Sequence, residues 1–336
     1  MRSFESSRAA SVAGIQGFAS PEVDRDEQLA TRAAWLYFVG GLTQAQIGKK
    51  LGINRVRINR LLAQAREQGL VQIRITGRLA ECVALEENLK SRFGLEGAVV
   101  VPTPPDPALI PHVIGAAAAN VLTERLRDGM SVGVGWGRTL RLSLRSVPRH
   151  QLRKLSVVSL MGGLTRGAAM NPHETASRLA DLLDAECYYI AAPALADSEA
   201  TRDVILGQPA IRDVFDRIGR LDLAMVSVGD LHPESTIAEV GLVDKHDIAD
   251  LKSAGAVGDL CCQWLDEWGR LVDHPLNRRA IAPPSEALKR LPCVIVPSGG
   301  PHKVAIVHGA LHAGMIDVLI TDEMTASGVL AWSDPV

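Results

Sequence analysis

Apolar and polar residues follow a helical period through TQAQIGKKLGINRVRINRLLAQA, residues 43–65. Thr43 followed three residues later by Gln46 is a capping-box pattern and predicts a helix start. Ile47 and Leu51 share one face of that helix, and Gly52 predicts a tight stop. Asn54 is placed to cap a second helix, whose apolar positions Ile58, Leu61, Leu62 and Ala65 keep i, i+3, i+4, i+7 spacing. At 100° per residue the opposite face carries Val56, Asn59 and Arg60, flanked by Arg55 and Arg57. The small residue Gly48 stands where the two helices would cross. One side for a core and one for an anion with base edges describes a helix-turn-helix.

The same reading places a support helix from Asp24, with Leu29, Ala33 and Leu36 on one face and Gly40-Gly41 ending it. LVQIRI, residues 70–75, alternates apolar and polar and predicts a short strand; Leu79 to Phe93 is helical again. Beyond Gly97 the pattern changes to short apolar runs rich in β-branched residues: AVVV, SVGVG, LSVVSL, ECYYIA, LDLAMVSV, AVGDLCC, CVIVPSG and MIDVLIT. Helical-period segments such as Ile110–Leu126, Glu174–Leu183 and Val304–Ala313 lie between many of them. Apolar strands alternating with helices predict an α/β domain with a largely parallel sheet covered on both faces. Cys261-Cys262 reads as strand core.

Charge sharpens this division. From Asp24 to Ile75 there are nine Arg or Lys against four acids, about +5 on a chain whose total is −2, which leaves about −7 for the remainder. Concentrated positive charge on a small helical unit is a footprint of phosphate contact. Aromatics at 4% argue against a stacking platform for single strands. Five cysteines without a CxxC pair argue against a disulfide framework or structural zinc. His308 and His312 have metal-pair spacing but no surrounding HExxH, so no metal or other cofactor is expected. Neither a signal peptide nor a membrane span is expected, and the cytoplasm is the expected compartment. Residues 1–22, rich in Ser, Ala and Gly, read as a flexible tail.

Four predicted strands end in glycine or small-residue turns: SVGVGWGRT (131–139), SLMGGLTR (159–166), VSVGDL (226–231) and VIVPSGGPHK (294–303). Carboxyl ends of parallel strands lie along one edge, so the four turns are expected to converge on a pocket. A polyhydroxylated ligand needs carboxylates and amides for its donors and Lys or Arg for its acceptors. Arg138, Thr139, Asn171, Asp259, Lys303, Asp322 and Glu323 supply these, with Asp230 in the third turn. Gly135, Gly137, Gly162, Gly163, Ser298, Gly299 and Gly300 give backbone access. Trp136 either stacks on a sugar ring or fills core. Asp322 and Asn171 are also placed as helix caps.

A basic helix-turn-helix followed in order by GWGRT, LMGG, NPHE, VGDL, PSGGPHK and TDE resembles the SorC family of sugar-responsive bacterial transcription regulators. The resemblance runs from about Asp24 to Trp332 and implies an effector domain like the sugar-phosphate isomerase and glucosamine-phosphate deaminase fold. It implies ligand contacts at Arg138, Thr139, Asn171, Asp259 and Lys303. The chain differs from the phosphosugar-binding branch at Met161, where an arginine commonly precedes the glycine pair, and at Arg138, where two hydroxyl residues are usual.

The expected architecture is α/β: a small all-α helix-turn-helix domain over 23–78, then a Rossmann-like, largely parallel α/β effector-binding domain over 79–336. Thr43, Gln44, Lys49 and Arg57 are expected on phosphates; Asn54, Arg55, Val56, Asn59 and Arg60 are expected at base edges. The expected function is regulation of carbohydrate or polyol catabolism, without enzyme activity. The expected partners are double-stranded operator DNA, a sugar, polyol or sugar-phosphate effector, and further copies of the chain in a homodimer or homotetramer. The alternative is a sugar-phosphate isomerase or deaminase.

Overall fold

The structure, a computed structural model, describes residues 25–67, 70–71, 79–149, 152–165 and 171–332. The expected tail over 1–22 and most of the predicted strand at 70–75 lie outside these. The chain forms two compact units, residues 1–73 and 74–336.

In the first unit, helix α1 (Arg25–Ala34) continues through Trp35–Val39 and stops at Gly40-Gly41. Helices α2 (Gln44–Leu51) and α3 (Arg55–Glu67) follow. The caps are those the local sequence dictates. Thr43 Oγ1 accepts from the Gln46 N–H at 3.3 Å, and Gln46 Oε1 accepts from the Thr43 N–H at 2.9 Å. Gly52 ends α2 at φ 69°, a conformation that a Cβ would strain. Asn54 Oδ1 accepts from the Arg57 N–H at 2.8 Å and opens α3. Ala30, Ala33, Leu36, Ile47, Ile58, Leu61, Leu62 and Ala65 make one buried cluster. Gly48 permits the close approach inside it: a Cβ there would lie 2.7 Å from the Ile53 carbonyl oxygen.

Among the described residues the second unit has ten strands: β1 (Gly97–Val101), β2 (Ser131–Val134), β3 (Ser156–Ser159), β4 (Glu186–Tyr188), β5 (Leu223–Met225), β6 (Val228–Asp230), β7 (Gly258–Leu260), β8 (Gln263–Leu265), β9 (Val294–Pro297) and β10 (Val318–Asp322). Seven form a sheet in the order β1-β10-β9-β5-β2-β3-β4, with every neighbouring pair parallel. The helices of this unit include α4 (Leu79–Phe93), α5 (Ile110–Arg125), α6 (Arg138–Ser143) and α7 (Pro172–Leu183); α5 and α6 carry cavity-lining residues. The inner strands β2, β3, β5, β9 and β10 are buried on both faces, which is why they read as continuous apolar runs, while the edge strands β1 and β4 are only partly covered. The chain runs outward from β2 to β3 and β4, then returns to the other side of β2 as β5 and runs outward through β9 and β10. The strand order therefore reverses between β2 and β5.

Two readings of the sequence are corrected. LDLAMVSV is not one strand: β5 belongs to the parallel sheet, and β6 leaves it to pair with β7 in a separate antiparallel sheet, β6-β7-β8. Cys261 and Cys262 are not strand core. They are the two-residue turn joining β7 to β8, at φ 51° and 60°. Both thiols are buried, and burial pushes the Cys261 thiol up to about 12. All five cysteines are free thiols.

Candidate functional site

On α3, Ile58, Leu61 and Leu62 are buried while Arg55, Val56, Arg57, Asn59 and Arg60, with the preceding cap Asn54, are exposed. Val56, an apolar residue, is 79% exposed, with no structural reason to be apolar. Lys49 is exposed on α2 and Thr43 is occupied as its cap. Gln44, expected on a phosphate, bridges the two helices: its Oε1 accepts from Arg55 Nε and its Nε2 donates to Asn59 Oδ1, both at 3.3 Å. The bridge fixes two of the side chains that face outward from α3. This surface offers hydrogen-bond donors in rows, an amide and one methyl-bearing tip, the groups that phosphates and major-groove edges take.

In the second unit a cavity of about 230 Å³ opens at the carboxyl ends of the adjacent strands β2, β5 and β9. That is the place where the strand order reverses, and open parallel sheets bind ligands there. The loop after β2 contributes Trp136, Gly137, Arg138 and Thr139. The loop after β9 contributes Gly299, Gly300, His302 and Lys303. After β5 the chain supplies Ser227 and then strand β6, with Asp230 at its end; β7 pairs with β6 and brings Asp259 to the same wall. Pro107, Ala108, Ile110 and Pro111 add an apolar rim. The volume lies below the roughly 300–1,000 Å³ of drug-sized sites, which suits a small ligand.

Polar groups on this wall are tightly arranged. Lys303 Nζ donates to the Val228 carbonyl oxygen at 2.5 Å and lies 3.4 Å from Asp230 Oδ2. Asp230 Oδ1 accepts from the His232 N–H at 2.8 Å. Arg138, half exposed, pairs with Glu239 at 3.1 Å. His302 Nε2 is 3.7 Å from Asp230 Oδ2, yet burial holds its imidazole below the ordinary value, against the pull of Asp230. Asp259 is 2% exposed; its Oδ2 accepts from the Cys262 N–H at 2.9 Å and its Oδ1 has no hydrogen-bond partner among the described residues. Burial pushes this carboxyl up to about 6, opposed by the Cys262 N–H and by Lys303, while nearby Asp230 adds to the rise. Trp136 is 6% exposed and packs with Met161 and Leu231 as core while forming part of the cavity wall.

The expectation that all four turns converge is corrected. The second turn follows β3, one strand beyond, and Gly162 and Gly163 do not line the cavity. Their glycines serve a chain crossing: a Cβ on Gly162 would lie 2.2 Å from the Pro193 carbonyl oxygen, and one on Gly163 would meet His173. Asn171 is absent from the wall because it caps α7, accepting from the His173 N–H, and donates to the Leu164 carbonyl oxygen. Asp322 is fully buried behind the loop, where its Oδ1 accepts from the Gly300 N–H at 2.9 Å and Oδ2 from Thr103 at 2.8 Å. Glu323, Gly135 and Ser298 also lie off the cavity. Asp322 thus braces the loop that carries Lys303. The reading missed Ser227, Glu234, Ser235, Thr236 and His302. His302 stood inside PSGGPHK and Ser227 inside VSVGDL; Glu234, Ser235 and Thr236 follow that turn without a glycine or period to single them out.

A family described as "Putative sugar-binding domain" matches residues 77–331. The erythritol catabolism regulatory protein EryD of Brucella abortus is 33% identical over 309 residues, 91% of this chain and 98% of that protein. The deoxyribonucleoside regulator of Bacillus subtilis is 31% identical over 312 residues, 92% of this chain and 99% of that protein. Among solved structures, the full-length sorbitol operon regulator SorC of Klebsiella pneumoniae aligns with a TM-score of 0.68 at 30% identity, over 91% of this chain and 99% of its own. With the helix-turn-helix and the α/β unit both inside these matches, the chain belongs to the SorC family of sugar-binding transcriptional regulators.

Proposed function

We propose that this regulator of carbohydrate or polyol catabolism reads its operator with α3 and is switched by a small polyhydroxylated effector seated at the ends of β2, β5 and β9. Arg55, Val56, Asn59 and Arg60 meet base edges, Val56 against a thymine methyl; Lys49 and Arg57 hold phosphates. Gln44 acts by orienting Arg55 and Asn59. One such unit buries too little surface for tight binding, so the protein works as a homodimer or homotetramer on repeated half-sites. Work on operator DNA places it in the cytoplasm, and no helix among the described residues is long and apolar enough to cross a membrane.

The observation that carries this reading is a cationic, outward-facing α3 in a chain that also holds a polar cavity where its parallel sheet reverses order. The same cavity in a sugar-phosphate isomerase would turn substrate over; here it holds an effector without reaction. The test is fluorescence anisotropy on an operator obtained by in vitro selection, titrated with and without sugars, polyols and their phosphates. At least one compound is expected to change operator affinity by roughly 5–150-fold, and operator to change that compound's affinity by the same factor. Turnover of any of these compounds, or operator binding indifferent to all of them, would refute the reading.

A further inference from the structure

We propose that the cavity selects an uncharged polyol or free sugar and rejects the phosphate ester of the same compound, an inference that rests on the cavity being the effector site. Three acids stand on the wall, Asp230, Glu234 and Asp259, against two permanent cations, Arg138 and Lys303. Each cation already has a carboxylate: Lys303 lies 3.4 Å from Asp230 and Arg138 lies 3.1 Å from Glu239. Lys303 spends a further donor on the Val228 carbonyl oxygen. Burial disfavours the charged form of His302, so it does not stand as a third fixed cation. A phosphate dianion entering here would meet fixed carboxylates before any uncommitted cation among the described wall residues, and like-charge contact is what a site uses to refuse a wrong partner.

The buried groups without partners point the same way. Asp259 Oδ1 and Ser235 Oγ both belong to cavity-wall residues, 2% and 5% exposed, and neither has a hydrogen-bond partner among the described residues. A buried polar atom is expensive to leave unpaired, so these two define what the ligand must bring. A carboxylate oxygen accepts only; a serine hydroxyl does both. A ligand hydroxyl can donate to the first and exchange either way with the second, whereas a phosphate dianion seated there would face the Asp259 carboxylate with no proton between them.

Calorimetric titration of the full chain with four- to six-carbon alditols and aldoses, and with the terminal phosphate of each, tests this. At least one neutral compound is expected to bind, with its phosphate about a hundredfold weaker or worse. Asp230→Asn removes the acid beside Lys303 and is expected to strengthen the phosphate at least tenfold; Ser235→Ala is expected to weaken the neutral ligand about tenfold. A phosphate that binds more tightly than its parent overturns the selectivity while leaving the effector site standing. Failure of both classes to bind overturns the site itself, and an Asp230→Asn variant as intolerant of phosphate as the parent overturns the electrostatic account.

Discussion

Replacing Asp259 with asparagine separates what this side chain does for the ligand from what its burial costs the fold. The carboxyl has its usual value at 3.8 in the unfolded chain and about 6 in the folded one. Between those values the native state holds more protons than the unfolded chain, so stability falls as pH rises through the interval, and the full cost is present above about pH 6. At about 1.4 kcal/mol per pH unit the cost reaches about 3 kcal/mol at pH 7.5 and about 1 kcal/mol at pH 4.5. Lys303 and Asp230 act on the group in opposite directions, the first lowering and the second raising it, and the thiols of the Cys261-Cys262 turn lie close by. Asparagine keeps an oxygen for the Cys262 N–H but never ionises. Urea denaturation followed by tryptophan fluorescence, with Trp136 and Trp264 buried in one core cluster, should show Asp259→Asn gaining about 2 kcal/mol on the parent between pH 4.5 and pH 7.5. The constant cost of burying an amide cancels in that difference. The same variant should bind a neutral effector at least tenfold more weakly, a more stable protein with a poorer site. A stability difference that stays flat with pH would refute the buried carboxylate.

The surface proposed to face DNA yields further expectations. Arg60→Ala should cost about 1–3 kcal/mol on the selected operator and far less on random DNA, measured by anisotropy. Lys49→Ala should weaken both and reduce the salt-dependence slope by about 1. Gly48→Ala drives a Cβ to within 2.7 Å of the Ile53 carbonyl oxygen, a backbone atom, and should cost about 1–3 kcal/mol in the helix-turn-helix, read as lost operator binding with effector binding retained.

The helix-turn-helix was legible because its signals are local. Thr43, Gln46, Gly52 and Asn54 each act within three or four residues, so their positions alone specify caps and turn. The strands were legible from their apolar runs, but their spatial order is not written in any run. Gly162-Gly163 looked like Gly299-Gly300, and only the place of β3 outside β2 removes it from the cavity. The break between β5 and β6 was hidden because both halves are apolar, and Asp230 and Asp259 meet only through that break. Ser235 carries no periodic or turn signal, and its role rests on being buried without a partner.

Gln44 has a consequence for how this surface changes over generations. A side chain that clamps Arg55 and Asn59 at once lowers the ordering cost of presenting them to a duplex, since fewer rotamers remain to be frozen on contact. The same clamp removes their freedom to reach a neighbouring base. If Arg55 and Asn59 meet base edges as proposed, a change at position 59 in step with a drifting operator calls for a matching change at position 44, on the other helix.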